Sequence, residues 1–405
     1  MNLTGAISKR SLDHMTRGSL IRAMFERGRL LKEQVGAANV HDYSLGNPFN
    51  EPPPALVQAA QRMWADPRPG MHRYMSNVGF DDVREQIAAS LNARHGLTHP
   101  LNKNHVIMSC GAAGALNVVL KGVLDPGDEV LVPRPYFVEY DFYVDNHNGV
   151  INPVETDANF LPDLNKLEAA IGPRTRVILI DSPNNPTGVI YPESFLRSLD
   201  ELITRAEEKF GHYIYLLSDE PYAGLAYDGV TVPSVLKNVR HSIVGTSHSK
   251  DLGLAGERIG YIAFSPRIDD VQQLFNACAL HTRTLGFINA PAVMQRVVAE
   301  FQGEVAGLAD YEARRNLLYQ ELRGMGYQLV KPAGAFYMFP ESPIPDDGIF
   351  ISEALKRNLL AVPGYAFAGP GYFRLSFAER TLEDIARSLP VFRELATQYG
   401  LRGWV

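Results

Sequence analysis

Between residues 105 and 264, short runs rich in Val, Ile and Leu recur, each followed by a turn and, in most cases, a stretch with helical spacing. The runs are H-V-I-M-S (105–109), D-E-V-L-V-P (128–133), R-V-I-L-I-D (176–181), Y-I-Y-L-L-S-D-E-P-Y (213–222), S-I-V-G-T-S-H-S-K (242–250) and R-I-G-Y-I-A-F (258–264). Near-continuous apolar strands are buried on both faces, and strands separated by helices pair mostly in parallel. The pattern therefore predicts an α/β fold: a mostly parallel sheet between two layers of helices. Sheets of this kind take ligands at the carboxyl ends of their strands.

The rest of the chain is arranged around that block. Leu20, Met24, Phe25, Leu30 and Leu31 predict a helix within 17–40, broken by the proline-dense S-L-G-N-P-F-N-E-P-P-P (44–54), where Gly46 offers backbone to a ligand. Asp81 or Asp82 is expected to cap a helix that Gly96 ends, and further helices are expected over 193–210 and from about 290 to 324. Short strands near 333–339 and 372–377, with helices at 348–358 and 381–398, read as a smaller α+β unit. The expected organisation is an arm and part of the small domain over 1–48, a large domain over 49–290, an interdomain helix over 291–324 and the rest of the small domain over 325–405.

Composition narrows the partners. The 405 residues carry a formal charge of −6 and no dense Lys/Arg block, so neither nucleic acid nor an anionic membrane has electrostatic support. Cys110 and Cys278 are the only cysteines, too few for a disulfide framework or a zinc cluster, and they fit a reducing cytoplasm. The first residues lack the apolar core of a signal peptide, no run is long enough to span a membrane, and Asn2-Leu3-Thr4 reads as a chance sequon. A soluble, cytoplasmic protein is expected.

The chemistry gathers at strand ends. Lys250, a residue type that forms imines when its amine is neutral, stands beside Ser247 and Ser249, with Arg258 eight residues on. Hydroxyls and a guanidinium fork suit a phosphate, and together with the lysine they point to pyridoxal 5′-phosphate (PLP). Gly111-Ala112-Ala113-Gly114 opens a helix after a strand and presents amide N–H groups to an anion, although close helix packing explains such a turn equally well. Tyr136 can stack on an aromatic ring, and alone it reads as core or rim. Asn185, on the N-N-P-T-G turn, can donate to a phenolate oxygen that Tyr222 would share. Asp219, a carboxylate at the end of an apolar strand, needs a partner, and a protonated pyridine nitrogen would be one.

These motifs resemble the class I/II aminotransferases of PLP fold type I. The resemblance rests on L-G-N-P (45–48), G-A-A-G-A-L (111–116), P-N-N-P-T-G (183–188), D-E-P-Y (219–222), S-H-S-K (247–250), G-E-R-I-G-Y (256–261) and F-R-L-S-F (373–377), and runs from about residue 40 to the C-terminus. It implies the α/β fold of that family, with a mixed, mostly parallel sheet and a smaller α+β domain built from both termini. It implies Lys250 as internal imine and proton shuttle, Asp219 on the pyridine nitrogen, Asn185 and Tyr222 on the phenolate oxygen, and Tyr136 stacked on the ring. Gly111, Ala112, Ala113, Ser247, Ser249 and Arg258 would hold the phosphate. Arg374 would grip the substrate α-carboxylate, with Gly46 and Asn185 lining that pocket. Tyr74 would reach the phosphate of a neighbouring subunit, which implies a homodimer. Ala113 stands where the family often has a hydroxyl. Arg283 lies near where dicarboxylate-specific members carry an arginine, and a surface position explains it more simply.

The resemblance implies ping-pong transfer of an amino group from an L-amino acid to a 2-oxo acid. The same cradle also supports a lyase, decarboxylase, cyclase or oxidase. Ser247-His248-Ser249-Lys250 is formally the S-x-x-K of an acyl-enzyme hydrolase, but its companions S-D-N and K-T-G are missing from the chain.

Overall fold

A computed structural model of the protein describes residues 5–18, 20–66 and 69–403. Its strands are β1 (His41–Asp42), β2 (Val106–Ser109), β3 (Glu129–Arg134), β4 (Val150–Glu155), β5 (Thr175–Asp181), β6 (Tyr215–Asp219), β7 (Ser242–Ser247), β8 (Gly260–Phe264), β9 (Tyr337–Met338), β10 (Leu359–Leu360), β11 (Val362–Pro363) and β12 (Phe373–Ser376). Seven of them form the central sheet in the order β2-β8-β7-β6-β5-β3-β4. All neighbours are parallel except β8, which runs antiparallel to both β2 and β7. The expected fold class is the one observed.

Strand β4 was not expected. Its sequence, V-I-N-P-V-E, includes Pro153, which cannot donate to a ladder; at the sheet edge, paired only with β3, this costs nothing on the open side. The five inner strands are apolar because helices cover both of their faces. One layer buries residues such as Ile87, Leu131, Ile178 and Leu199, the other Leu116, Val130, Leu179 and Ile243.

A second core, with Tyr311, Leu322, Phe336, Phe350, Phe373 and Phe392, unites the C-terminal third with the arm. There β11-β12-β9 is an antiparallel sheet, while β1 pairs in parallel with β10. Ladder bonds from Tyr43 N–H to the Leu360 carbonyl (2.9 Å) and from Ser376 N–H to the Tyr43 carbonyl (2.9 Å) bring residues 44–46 against β12.

Two helical expectations are corrected. The helix expected within 17–40 is Leu20–Val35, and a further helix, Lys9–Arg17, precedes it. The long helix over 291–324 is instead Ala292–Glu300 and Leu308–Gly324, because Gly303 (φ 90°) and Gly307 (φ 66°) turn the chain through backbone that glycine alone adopts freely. Phe80 is the N-cap of the helix Asp81–His95, so Asp81 and Asp82 lie in its first turn and favour it through its dipole, while Gly96 ends it in the left-handed region as expected. Among the described residues no helix is long and apolar enough to cross a membrane, and no group of His, Cys, Asp and Glu could hold a metal.

Candidate active site

The carboxyl ends of β5, β6 and β7 open into a cavity of about 1080 Å³, lined among others by Gly46, Ala112, Ala113, Asn185, Asp219, Tyr222, Ser247, Ser249, Lys250, Arg258 and Arg374. Most of the residues expected from sequence therefore meet at one place. The parallel register sets Asp181 beside Asp219, so two carboxyls stand side by side at the cavity floor.

Lys250 follows β7 in a turn. Its Nζ donates to the Gly46 carbonyl at 2.7 Å and lies 5.4 Å from the centre of the Phe336 ring. Burial lowers its pKa to about 8, and the nearby charges of Arg258 and Arg374 act in the same direction. Asp219 accepts from the Tyr140 hydroxyl at 2.7 Å through Oδ2, whereas its buried Oδ1 has no partner. Burial raises this carboxyl to about 7, against the opposing pull of the Tyr140 hydrogen bond. Asp181 is raised to about 8, by burial first and further by Asp219, although the Asn185 N–H (2.8 Å) and the Asn184 side chain (2.6 Å) both donate to it. One buried acid is thus satisfied and the other has an oxygen left over.

Arg374 is 2% exposed and donates to the Asn185 Oδ1 (3.0 Å) and the Ser44 carbonyl (2.7 Å), while its Nε has no partner. No carboxylate among the described residues pairs with it, and burial pulls its pKa below the usual arginine value. A buried cation left in this state is a receptor for an anion. The rings of Tyr337 and Phe367 flank it at 4.6 Å each.

A second anion cradle lies across the cavity. The helix Gly111–Val123 starts there, with Ala112 and Ala113 on the wall, and Arg258 Nη1 is 3.5 Å from the Ser249 hydroxyl. Gly111 sits at φ 73°, where a side chain is strained, and a Cβ would meet Arg258 Nη2 at 2.5 Å. Gly46 is equally constrained, since a Cβ would sit 1.9 Å from the Tyr337 hydroxyl. Tyr222 donates to or accepts from that same hydroxyl at 2.8 Å.

Three residues named from sequence lie outside this cavity: Tyr136, expected within it, and Tyr74 and Arg283, expected across a subunit boundary and at the surface. Tyr136 is outside the cavity, its hydroxyl donating to Asp141 (2.9 Å) and its ring parallel to that of Tyr140 at 6.3 Å. The next residue, Phe137, lines the cavity instead. Tyr74 is 90% exposed in a shallow groove with His72, Arg73, Met75, Asn289 and Ala292. Arg283 is exposed on the helix Val271–Thr284, outside the cavity lining.

Other lining residues were not singled out from sequence. Asp181 ends an apolar strand just as Asp219 does, so the same argument reaches it. Tyr140 and Tyr337 carry no separate signal beyond their aromatic runs. His14 and Met15 come from the unexpected helix Lys9–Arg17, which lies at the cavity mouth with His14 Nε2 2.6 Å from Asp145 Oδ2.

The site can hold PLP on grounds internal to the structure. It has a low-pKa amine, a buried carboxylate oxygen without a partner, a helix start beside an arginine and hydroxyls, and room for more than one ligand.

Comparison with known proteins places the chain in a family. The family model described as Aminotransferase class I and II matches residues 38–391. A probable aspartate aminotransferase of Methanocaldococcus jannaschii is 31% identical over 364 residues, covering 87% of this chain and 92% of the relative. An aspartate/prephenate aminotransferase of Thermus thermophilus is 32% identical over 358 residues, covering 85% and 89%. The crystal structure of an amino transferase from Eubacterium rectale superposes with a TM-score of 0.93 at 33% identity, covering 98% of this chain and 100% of the other. The chain belongs to the class I and II aminotransferases, enzymes that move an amino group between an amino acid and a 2-oxo acid.

Proposed function

We propose that this chain binds PLP on Lys250 and uses it to transfer the amino group of an L-amino acid to a 2-oxo acid. One observation supports this above the others: a single cavity holds the low-pKa amine of Lys250, the unpartnered Oδ1 of Asp219 and the unpaired guanidinium of Arg374. When bound, the pyridine ring supplies an electron sink for the α-carbon.

The chain's own residues supply the rest. Asp219 Oδ1 would accept from the ring nitrogen and keep it protonated. Asn185 and Tyr222 would donate to the phenolic oxygen, and Phe137 would cover a ring face. Ala112, Ala113, Ser247, Ser249 and Arg258 would hold the phosphate, with Gly111 making room for Arg258. Arg374 would take the substrate carboxylate in a two-pronged grip, which fixes the α-hydrogen relative to Lys250. Lys250, freed by the substrate amine, would carry the proton away as general base and return it as general acid.

Names of the relatives favour amino-group transfer over elimination, decarboxylation, cyclisation or oxidation, and they make aspartate the first amino acid to try. The hydrolase alternative is disfavoured because the amine of Lys250 is engaged by the Gly46 carbonyl rather than by Ser247. A cytoplasmic homodimer, with a large unit over 49–290 and a small one built from 1–48 and 325–405, completes the assignment.

The test is an absorbance spectrum of the PLP-loaded protein, followed by amino acids added without oxo acid. Loss of the visible band with one 2-oxo acid released per site is the expected outcome. Catalytic release of ammonia, or no visible band at all, would overturn it.

A further inference from the structure

Tyr337 is 2% exposed, lines the cavity and touches three other parts of the site. The β9–β12 register places it opposite Ser376, so it shares a sheet face with Arg374, its diagonal neighbour. Its ring accordingly covers the Arg374 guanidinium, 4.6 Å from Cζ to ring centre. Its hydroxyl lies 2.8 Å from the Tyr222 hydroxyl, and the two rings meet edge to face at 5.6 Å. On the third side stands Gly46, where a Cβ would come within 1.9 Å of the Tyr337 oxygen. One side chain thus joins the carboxylate anchor, the arm and the hydroxyl assigned to the cofactor oxygen.

We propose that Tyr337 is a positioning residue: its ring sets the plane of Arg374, and its hydroxyl donates to Tyr222, so that Tyr222 donates toward the cofactor. This rests on the aminotransferase reading of the site. A hydroxyl has one hydrogen and two lone pairs. Once the Tyr222 hydrogen points to the cofactor's phenolic oxygen, Tyr337 has to be the donor of the pair. Burial pushes both phenols above their ordinary pKa, so both remain neutral donors at working pH. A hydroxyl that accepts a hydrogen bond is itself a stronger donor.

The sign of the effect follows. The phenolic oxygen carries more unshared negative charge when the imine nitrogen beside it has lost its proton. A donor on that oxygen therefore lowers the pH midpoint of the visible band, and weakening the donor raises the midpoint.

The experiment titrates the visible band in the PLP-loaded wild type, Tyr337→Phe, Tyr222→Phe and the double variant, with amino-acid kinetics on each and on Tyr337→Leu. Tyr337→Phe is expected to keep PLP and its melting temperature while raising the midpoint by about 0.3 pH unit, the share of one hydrogen bond that cooperativity supplies. In the Tyr222→Phe background the same substitution is expected to add nothing. Tyr337→Leu, which also strips the ring from Arg374, is expected to raise the amino-acid KM about fivefold over Tyr337→Phe, the size of a cation–π contact. An unmoved midpoint in Tyr337→Phe, or an equal shift in both backgrounds, overturns the proposal and leaves the aminotransferase reading standing. A wild-type protein with no visible band overturns both.

Discussion

At the scale of single residues the site is governed by burial. The amine of Lys250 is pushed down to about 8 by desolvation and by two arginines, so about a tenth of it is neutral at pH 7, against roughly one part in 2,500 for an exposed lysine. Capture of PLP requires the neutral amine. Its rate is therefore expected to rise about tenfold per pH unit between about pH 6 and 8 and to level off above, read from the appearance of the visible band. A flat profile would remove Lys250 from the role of nucleophile. Lys250→Ala is expected to bind PLP without the visible imine band and to lose turnover; retained turnover would sink the assignment. Arg374 has a different dependence on burial, since its cost is relieved only when an anion arrives. Arg374→Ala is expected to raise the amino-acid KM about 100-fold, the loss of a two-pronged charge-assisted pair, with PLP affinity unchanged. An unchanged KM would exclude the carboxylate role.

At the scale of elements, what the sequence reveals depends on whether one local rule decides the outcome. Apolar runs with both faces covered follow such a rule, and β5, β6 and β7 end where the sequence places them to within a few residues. So do Lys250, Asp219, Asn185, Arg258 and Arg374, which stand beside turns or strands with recognisable chemistry. Strand β4 escaped because an edge position tolerates proline, and Phe137 rather than the expected Tyr136 lines the cavity because side-chain facing outside regular strands is set by tertiary packing. Asp181 was legible by the rule that found Asp219. The helix Lys9–Arg17 was hidden because it buries little: Leu12 is 58% and Met15 72% exposed, so there is no core-facing stripe to read. It is held instead by Ser8 capping Ser11 N–H and by Arg10 and His14 on Asp145. Such partly exposed contacts add little stability, roughly 0–1 kcal/mol each. Removing residues 1–18 is therefore expected to leave the melting temperature nearly unchanged while raising the amino-acid KM several-fold, because His14 and Met15 line the cavity mouth. An unchanged KM would mean that the helix does not cover bound substrate.

At the scale of the whole molecule, exposed side chains give the proposed dimer something to be tested on. Tyr74 is 90% exposed and outside its own cavity, and Phe49, Val57, Trp64 and Ile288 are also large exposed side chains, at 50%, 41%, 65% and 36%. A two-fold assembly would bury such residues and give Tyr74 a neighbouring phosphate to donate to. This can be separated from a local role by mixing two damaged chains. Tyr74→Ala is expected to weaken PLP binding about 10- to 100-fold, the loss of one hydrogen bond to a charged group, and Lys250→Ala to be inactive. In a hybrid, the Tyr74→Ala chain keeps its lysine and receives the tyrosine of the Lys250→Ala chain, so one site of the two is intact. Co-expression with random pairing is expected to restore about a quarter of wild-type activity per chain at limiting PLP, since half of all dimers are hybrids with one working site each. If Tyr74 served only its own chain, no hybrid site would be whole. Activity would then stay at the mean of the two parents, and neither the exposure of Tyr74 nor a dimer would bear on catalysis.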